Sequence, residues 1–153
     1  VQDLSKPSIL SGLQRISLAG IDMSIFHGLV SDNFNFDEIE DEEVDFAFSN
    51  SLFSHLSINS IVLCLRHLCP KMQRGKSYFS SMIVFPNDVE TLEYDWSYMN
   101  KPGTNIVSYA NKDPFHYTES TINNLQNYRT GFEVKTIHSY GHPFQKLIEF
   151  VRV

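Results

Sequence analysis

The chain has few of the features that mark disulfide-rich, nucleic-acid-binding or membrane proteins. Only two cysteines occur, Cys64 and Cys69, so a disulfide-rich fold is excluded and reduced thiols are expected. There is no run of Lys and Arg, and the net charge of -6 argues against binding to nucleic acid. No apolar run is long enough to span a bilayer, and no signal peptide is recognisable. We therefore expect a soluble, cytoplasmic protein with no membrane partner.

What the chain does contain is the ordinary composition of one globular domain. Hydrophobic residues make up 42% and charged residues 20% of its 153 residues. A chain of this length buries a sizeable core without a metal or a disulfide. We predict a single domain over residues 1–153. Residues 1–15 are a poorly defined N-terminal segment, and the polar, proline-containing residues 86–117 are predicted to form a long loop or lid.

Apolar runs predict the first strands. Residues 16–22 form a short apolar run that ends at an acid, which is typical of a buried strand with a polar end. A second, very short strand is predicted at Leu29-Val30. Val44–Ser49 and residues 76–85 are rich in aromatic and β-branched residues and predict two further strands.

Two helices have recognisable start and stop signals. Ser57 is a predicted N-cap, and the residues after it recur at helical spacing: Ile58, Ile61, Val62, Leu65 and Leu68. Pro70 and Gly75 are predicted to close this helix. Thr118 is the predicted cap of a last helix, which Gly131 ends.

The end of the chain predicts an antiparallel hairpin. Residues 132–140 and 145–153 are strand candidates, and the connection between them is too short for a crossover. The earlier strands alternate with helices and are therefore expected to be parallel. The sequence thus predicts an α/β fold in which a mostly parallel sheet carries one reversed C-terminal strand.

Two clusters of potential metal-binding residues occur in the sequence, and neither has the spacing of a known metal site. Residues 37–45 are acidic and predict a solvated helix or loop, because they lack the glycine and terminal glutamate of a calcium-binding EF-hand loop. Cys64, His67 and Cys69 lack the paired spacing of a zinc site. We assign no metal ligands.

Several segments, taken in order, resemble the class I S-adenosylmethionine (SAM)-dependent methyltransferases. Residues 16–22 resemble the second strand of that family, and residues 44–56 resemble the fourth strand and the turn after it. Residues 65–76 resemble the helix that leads into the fifth strand, and the C-terminal hairpin resembles the reversed seventh strand. The resemblance covers about residues 16–153. It implies a Rossmann-like three-layer sandwich that lacks the first strand and helix, with SAM as cofactor and a small-molecule methyl acceptor as partner.

The resemblance also implies roles for particular residues. The acid that ends the second strand, Asp22, would bind the ribose hydroxyls, and Asp32 would contact the adenine amino group. The full set of cofactor-binding candidates is Gly20, Asp22, Asp32, Ser49 and Asn50. The candidates for a catalytic role on the substrate side are His55, His116 and Tyr117. A general base is optional, because the sulfonium of SAM already activates the methyl group.

One part of the family pattern is missing. The first strand of the family ends in a glycine-rich loop, whose backbone must approach the cofactor closely, and no Gly-x-Gly occurs in residues 1–20. Either the sequence is a fragment of an enzyme, or it is a non-catalytic methyltransferase-like scaffold that binds protein partners. A homodimer is compatible with both alternatives.

Overall fold

Two units make up the chain: unit 1, Val1–Asn35, and unit 2, Phe36–Val153. The computed structural model describes residues 2–3, 6–20, 22, 24, 29–30, 33–85, 89–95, 105–142 and 144–153. Asp32, one of the predicted cofactor ligands, lies outside the described residues.

Unit 1 contains a pair of short parallel strands separated in sequence by a helix. Its elements are β1 (Gln2–Asp3), α1 (Lys6–Leu18) and β2 (Leu29–Val30). β1 lies parallel to β2, with Asp3 opposite Val30. Parallel neighbours need a crossover of a dozen or more residues, and the segment that holds α1 provides that length.

The strand predicted at residues 16–22 is wrong, because α1 continues to Leu18. The N-terminal segment predicted to be poorly defined holds most of this helix. Pro7 lies in the first helical turn, where its missing N–H costs no hydrogen bond. The helix ends before Gly20, whose φ of 76° is left-handed. A short apolar run fits a strand and the last turn of a helix equally well, and here the helix is formed.

Unit 2 contains a five-stranded mixed sheet and a separate two-stranded ribbon. Its elements are β3 (Val44–Ser49), α2 (Ile58–Leu68), β4 (Met72–Phe85), β5 (Thr91–Asp95), β6 (Asn105–Tyr109), β7 (Tyr117–Thr118), α3 (Glu119–Asn123), β8 (Phe132–Ser139) and β9 (Gln145–Arg152). The order in the main sheet is β3–β4–β9–β8, and β7 pairs with β4. β5 and β6 form the ribbon.

β9 determines the directions in the main sheet. It lies between β4 and β8 and runs antiparallel to both, whereas β3 and β7 run parallel to β4. The C-terminal hairpin is thus formed by β8 and β9, as predicted. The expectation of a mostly parallel sheet is not confirmed, because the longest pairings are antiparallel. The short turn after β8 brings β9 beside that strand, and the free edge of β9 then pairs with β4.

α2 ends at Leu68, just before Pro70 as predicted, but Gly75 lies inside β4 and takes no part in ending the helix. The pairing of β3 with β4 passes from Val44 opposite Met72 to Phe46 opposite Ser77, so β4 contains extra residues at this point. Such a bulge needs a residue that tolerates an unusual backbone angle. Gly75, with a φ of 74°, provides it.

The segment predicted as a long loop, residues 86–117, contains the antiparallel ribbon of β5 and β6. Thr91 lies opposite Tyr109, and Asp95 lies opposite Asn105. The apolar and polar residues of 91–95 alternate, which is a strand pattern, but the prolines around it favoured a loop.

The two predicted N-caps are confirmed. The Ser57 hydroxyl accepts a hydrogen bond from the Ser60 amide at 3.3 Å, and the Thr118 hydroxyl accepts one from the Thr121 amide at 3.0 Å. Within the described ranges, no helix combines the length and the apolar character that crossing a membrane requires.

The acidic segment precedes β3 as a series of mostly exposed turns. Lys71 Nζ lies 2.8 Å from Asp41 Oδ1, and Arg152 Nη2 lies 3.2 Å from Glu42 Oε1. The carboxylates of this segment are therefore paired in part with cations that follow α2 and end β9.

The core of unit 2 is an aromatic cluster on the sheet. The ring of Phe150 in β9 stacks on Tyr78 in β4 at 5.8 Å, and it meets Phe53 edge-on at 6.2 Å. Phe132 contacts the same ring from β8 at 6.5 Å. The buried apolar residues of α2 are Ile61, Cys64, Leu65 and Leu68. Since Phe150 contacts rings from three other segments, it holds the core together.

Phe150→Ala is expected to lower the free energy of unfolding by about 3–5 kcal/mol, because it removes a fully buried ring and leaves a cavity. The matched control is Phe48→Ala in β3, where the ring is 57% exposed and the expected change is below about 1 kcal/mol. Urea unfolding of both variants measures the difference. Equal losses would contradict the assignment of Phe150 to the centre of the core.

Candidate functional site

The carboxyl ends of three strands meet at one edge of the main sheet. β3, β4 and β8 share a direction, so Ser49, Phe85 and Ser139 end their strands at the same side, where β9 begins with Gln145. In α/β sheets, ligands bind outside the carboxyl ends of the strands. The predicted candidates Ser49, Asn50 and His55 follow one another along this edge.

Ser49 is directed into the protein. Its hydroxyl lies 2.7 Å from the Tyr78 hydroxyl and donates to the Ser80 hydroxyl at 2.9 Å. Burial raises the pKa of Tyr78 above its ordinary value, so this phenol stays protonated and forms hydrogen bonds as a neutral group. The Ser49 hydroxyl therefore satisfies buried polar partners beneath the edge.

Asn50 is exposed at the edge, and its carboxamide is oriented from below. The buried Ser81 hydroxyl donates to Asn50 Oδ1 at 2.8 Å and accepts the Ser51 amide N–H at 2.8 Å. Asn50 Nδ2 makes no hydrogen bond within the part of the chain that the structure describes. Because the oxygen faces Ser81, the side chain offers N–H donors to a ligand. Such donors suit a carboxylate, carbonyl or hydroxyl oxygen.

Gln145 joins the C-terminal hairpin to this edge, and sequence reasoning missed it. Its Nε2 donates to the Ser51 hydroxyl at 2.8 Å, and its Oε1 accepts from the Tyr140 hydroxyl at 3.1 Å. The sequence shows only a polar residue at the start of an apolar strand, which is not a specific signal, and its burial is visible only in the structure. The Gln145 amide also donates to His142 Nδ1 at 3.1 Å, and burial lowers the pKa of His142.

His55 lies in a short turn whose backbone is held on both sides. The Ser54 hydroxyl accepts from the Ile83 amide at 3.2 Å, and the Ser54 carbonyl accepts from the Phe115 amide at 2.6 Å. The Tyr117 hydroxyl donates to the Leu56 carbonyl. Two of the three predicted catalytic residues, His55 and Tyr117, therefore lie at the same turn, because the Tyr117 hydroxyl contacts the residue after His55.

The His55 side chain contacts a residue that sequence reasoning did not single out. Its Nδ1 lies 2.7 Å from Asp113 Oδ1, and the two side chains are 58% and 59% exposed. The two residues are 58 positions apart, so no local pattern indicates the pair.

Tyr117 is buried beneath this turn. Its side chain is nearly inaccessible, and burial raises the pKa of the phenol above its ordinary value. The ring stacks on Phe115 at 6.1 Å. Tyr117 thus lies below His55 and supports its backbone through the Leu56 carbonyl.

His116 faces the ribbon. It is 4% exposed, its Nε2 donates to the Val89 carbonyl at 2.7 Å, and its Nδ1 accepts from the Ser108 hydroxyl at 3.0 Å. Both ring nitrogens thus have internal partners. His116 connects the segment before β5, through Val89, to Ser108 in β6, and in this position it anchors the ribbon to the segment that leads into β7.

Gly20 and Asp22, the two described candidates of unit 1, follow α1 and do not end a strand. Gly20 is exposed, and Asp22 accepts from both the amide and the hydroxyl of Ser24 at 2.9 Å. These hydrogen bonds lower the pKa of Asp22. The acid that does end a parallel strand of unit 1 is Asp3. Two residues of strand are too short for a periodic signal, so sequence reasoning missed it.

Comparison with known proteins identifies the fold. No protein-family model and no curated protein matches the sequence. Among solved structures, the mitomycin 7-O-methyltransferase MmcR superposes with a TM-score of 0.69 at 13% identity, over 99% of this chain and 41% of MmcR. A SAM-dependent methyltransferase from Aquifex aeolicus gives 0.68 at 14% identity, over 99% of this chain and 67% of its own.

The likeness extends to a structure determined with cofactor. LepI in complex with SAM superposes with a TM-score of 0.60 at 14% identity, over 99% of this chain and 35% of LepI. At these identities the likeness shows the fold alone. The chain therefore has a mixed α/β fold that SAM-dependent methyltransferases share, and it spans less than half the length of MmcR and LepI.

The buried phenols of Tyr78 and Tyr117 are expected to make the protein less stable at high pH. Their pKa values are raised in the folded state, so above the unfolded phenol pKa of about 10 only the unfolded chain releases these protons. The free energy of unfolding then falls by up to about 1.4 kcal/mol per pH unit for each of the two phenols. The contribution is fully present below about pH 10 and falls above it.

Tyr117→Phe tests this pH dependence, with the exposed Tyr128→Phe as matched control. Urea unfolding between neutral pH and about pH 11 is expected to show a shallower decline for Tyr117→Phe than for the wild type. Tyr128→Phe is expected to retain the wild-type slope. Identical slopes in all three proteins would show that Tyr117 does not stay protonated in the folded state.

Proposed function

We propose that this chain belongs to a SAM-dependent methyltransferase that transfers a methyl group to a small-molecule acceptor. The observation that carries the proposal is the methyltransferase-like fold over 99% of the chain, with a polar cluster at the edge where α/β sheets bind ligands. Fold alone does not specify chemistry, so the residues at this edge decide which ligand the site fits.

The hydrogen-bond donors at the carboxyl end of β3 fit SAM. Asn50 offers amide N–H groups because Ser81 holds its oxygen, and these donors match the carboxylate of the methionine part of SAM. Hydrogen bonds to a carboxylate are stronger than bonds between neutral groups. When bound, SAM supplies a methyl group already activated by the positive sulfur. The protein then has mainly to position the acceptor.

For the ribose we assign Asp3 in place of Asp22. The resemblance gives this role to the acid at the end of a parallel strand, and Asp3 ends β1 while Asp22 follows α1 and is bonded to Ser24. An aspartate can accept two hydrogen bonds from a ribose diol, and charge on the acceptor strengthens both. The role of Asp32 at the adenine remains a prediction.

A non-catalytic scaffold is the second candidate. The observation that favours it is the absence of Gly-x-Gly from the sequence, since close approach of backbone to cofactor depends on such glycines. A scaffold would keep the fold and the core but would bind neither SAM nor its product. Cofactor binding therefore separates the two candidates.

Calorimetric titration of the protein that carries this chain with SAM and S-adenosylhomocysteine is expected to show binding. Asp3→Asn is expected to weaken the affinity by about tenfold or more, because it removes charge-assisted bonds worth about 1.5–3 kcal/mol. Asp22→Asn is the matched control, and its affinity is expected to stay within about threefold of the wild type.

The outcomes separate the alternatives. A folded wild-type protein that binds neither compound would overturn the enzyme proposal in favour of the scaffold. Binding that responds to Asp22→Asn and not to Asp3→Asn would restore the residue that sequence reasoning chose. Circular dichroism of each variant shows that a loss of affinity is not a loss of fold.

A further inference from the structure

The turn after β3 contains a backbone angle that is unfavourable for its residue. Ser51 has a φ of 59°, in the left-handed region that favours glycine. A residue in such a conformation needs surrounding contacts that oppose its relaxation. Ser51 directly follows Asn50, the exposed residue whose N–H donors we assign to the cofactor. The conformation of Ser51 therefore influences the direction of the Asn50 side chain.

Two hydrogen bonds hold Ser51, and they lie on opposite sides of the bond to which φ refers. On the nitrogen side, the Ser51 amide donates to the Ser81 hydroxyl at 2.8 Å, and that hydroxyl donates to Asn50 Oδ1 at 2.8 Å. On the Cα side, the Ser51 hydroxyl accepts from Gln145 Nε2 at 2.8 Å. Rotation about φ would pull one of these groups away from its partner. The two bonds together therefore oppose relaxation of the turn.

Gln145 is itself fixed in position. It is 9% exposed and begins β9, where it lies opposite Ile83 of β4. Its amide donates to His142 Nδ1 at 3.1 Å, and its Oε1 accepts from the Tyr140 hydroxyl at 3.1 Å. Because Oε1 faces Tyr140, the side chain directs its N–H group at Ser51.

The bonds of Gln145 are suited to fixing a geometry. Hydrogen bonds between neutral groups add little net stability, because the unfolded chain forms equivalent bonds with water. A buried network whose groups are bonded to one another instead specifies one arrangement of its members. This network extends from the hairpin turn through Gln145, Ser51 and Ser81 to Asn50. It connects the C-terminal hairpin to the donor that faces the ligand.

We propose that Gln145 is a positioning residue for the cofactor: it holds the turn at Ser51 so that Asn50 presents its N–H donors to the carboxylate of SAM. The inference rests on the proposed function. Gln145 acts through Ser51 and does not itself contact the ligand. The C-terminal hairpin thereby takes part in recognising the amino-acid end of the cofactor.

Calorimetry with two ligands tests which end of the cofactor depends on Gln145. S-Adenosylhomocysteine carries the amino-acid end, whereas 5′-methylthioadenosine keeps the adenosine and the sulfur but lacks the carboxylate. Gln145→Met keeps a similar volume and removes both side-chain hydrogen bonds. It is expected to weaken S-adenosylhomocysteine binding about tenfold and 5′-methylthioadenosine binding less than about threefold.

Gln126→Met is the matched control, because Gln126 is exposed and lies after α3, and it is expected to keep the wild-type affinity for both ligands. Equal losses for the two ligands in Gln145→Met would overturn the positioning role, since they would indicate general damage to the site.

Two substitutions of Ser51 separate the strained backbone from the hydroxyl. Both Ser51→Ala and Ser51→Gly remove the acceptor of Gln145, but only alanine keeps a side chain that disfavours this φ. Ser51→Ala is expected to weaken S-adenosylhomocysteine binding about tenfold, whereas Ser51→Gly is expected to stay within about threefold of the wild type. Adding Gln145→Met to Ser51→Ala is expected to cause little further loss, because both changes remove the same bond. Equal losses for alanine and glycine would contradict the role of the strained turn.

A measurement without ligand distinguishes this inference from the proposed function. ¹⁵N relaxation of the Asn50 side-chain amide is expected to show a rigid group in the wild type and in Gln126→Met, and a mobile group in Gln145→Met. An equally rigid Asn50 in Gln145→Met overturns the inference and leaves the cofactor assignment standing. A folded wild type with a rigid Asn50 that binds no S-adenosylhomocysteine overturns the proposed function, and with it the role of Gln145 towards SAM.

Discussion

The placement of β9 between β4 and β8 is the constraint on which the rest of unit 2 depends. Its hydrogen bonds join the C-terminal hairpin to the central strand, and Phe150 in this strand contacts the rings at the centre of the core. The first residue of β9, Gln145, reaches the turn after β3 through Ser51. The same strand therefore builds the core and positions the edge where the candidate site lies.

Much of unit 2 could be predicted because its signals are local and strong. β3 has its predicted bounds, α2 begins after the predicted cap Ser57, and the C-terminal hairpin follows from the short connection between its strands. Each of these features depends on neighbouring residues, through hydrophobic periodicity, side-chain capping and turn length. Where a local rule had no competitor, the sequence pattern agreed with the structure.

The errors arise where local signals were ambiguous or the contacts are long-range. Residues 16–18 were predicted to begin a strand but end a helix, and Gly75 fits a helix end but lies in a bulge. The pair of His55 and Asp113 joins residues far apart in sequence, so no spacing could indicate it. Asp3 ends a strand of two residues, which is too short to show periodicity. Strand pairing or side-chain contacts between distant segments decided the cases of Gly75, His55 and Asp3.

The most direct test of the account is a crystal structure of the protein that carries this chain, grown with S-adenosylhomocysteine. The account predicts that the product binds at the carboxyl end of β3, with its carboxylate accepting a hydrogen bond from Asn50 Nδ2 and Ser81 still bonded to Asn50 Oδ1. Product bound away from this edge, or well-ordered crystals without it at saturating concentration, would contradict the assignment of the site.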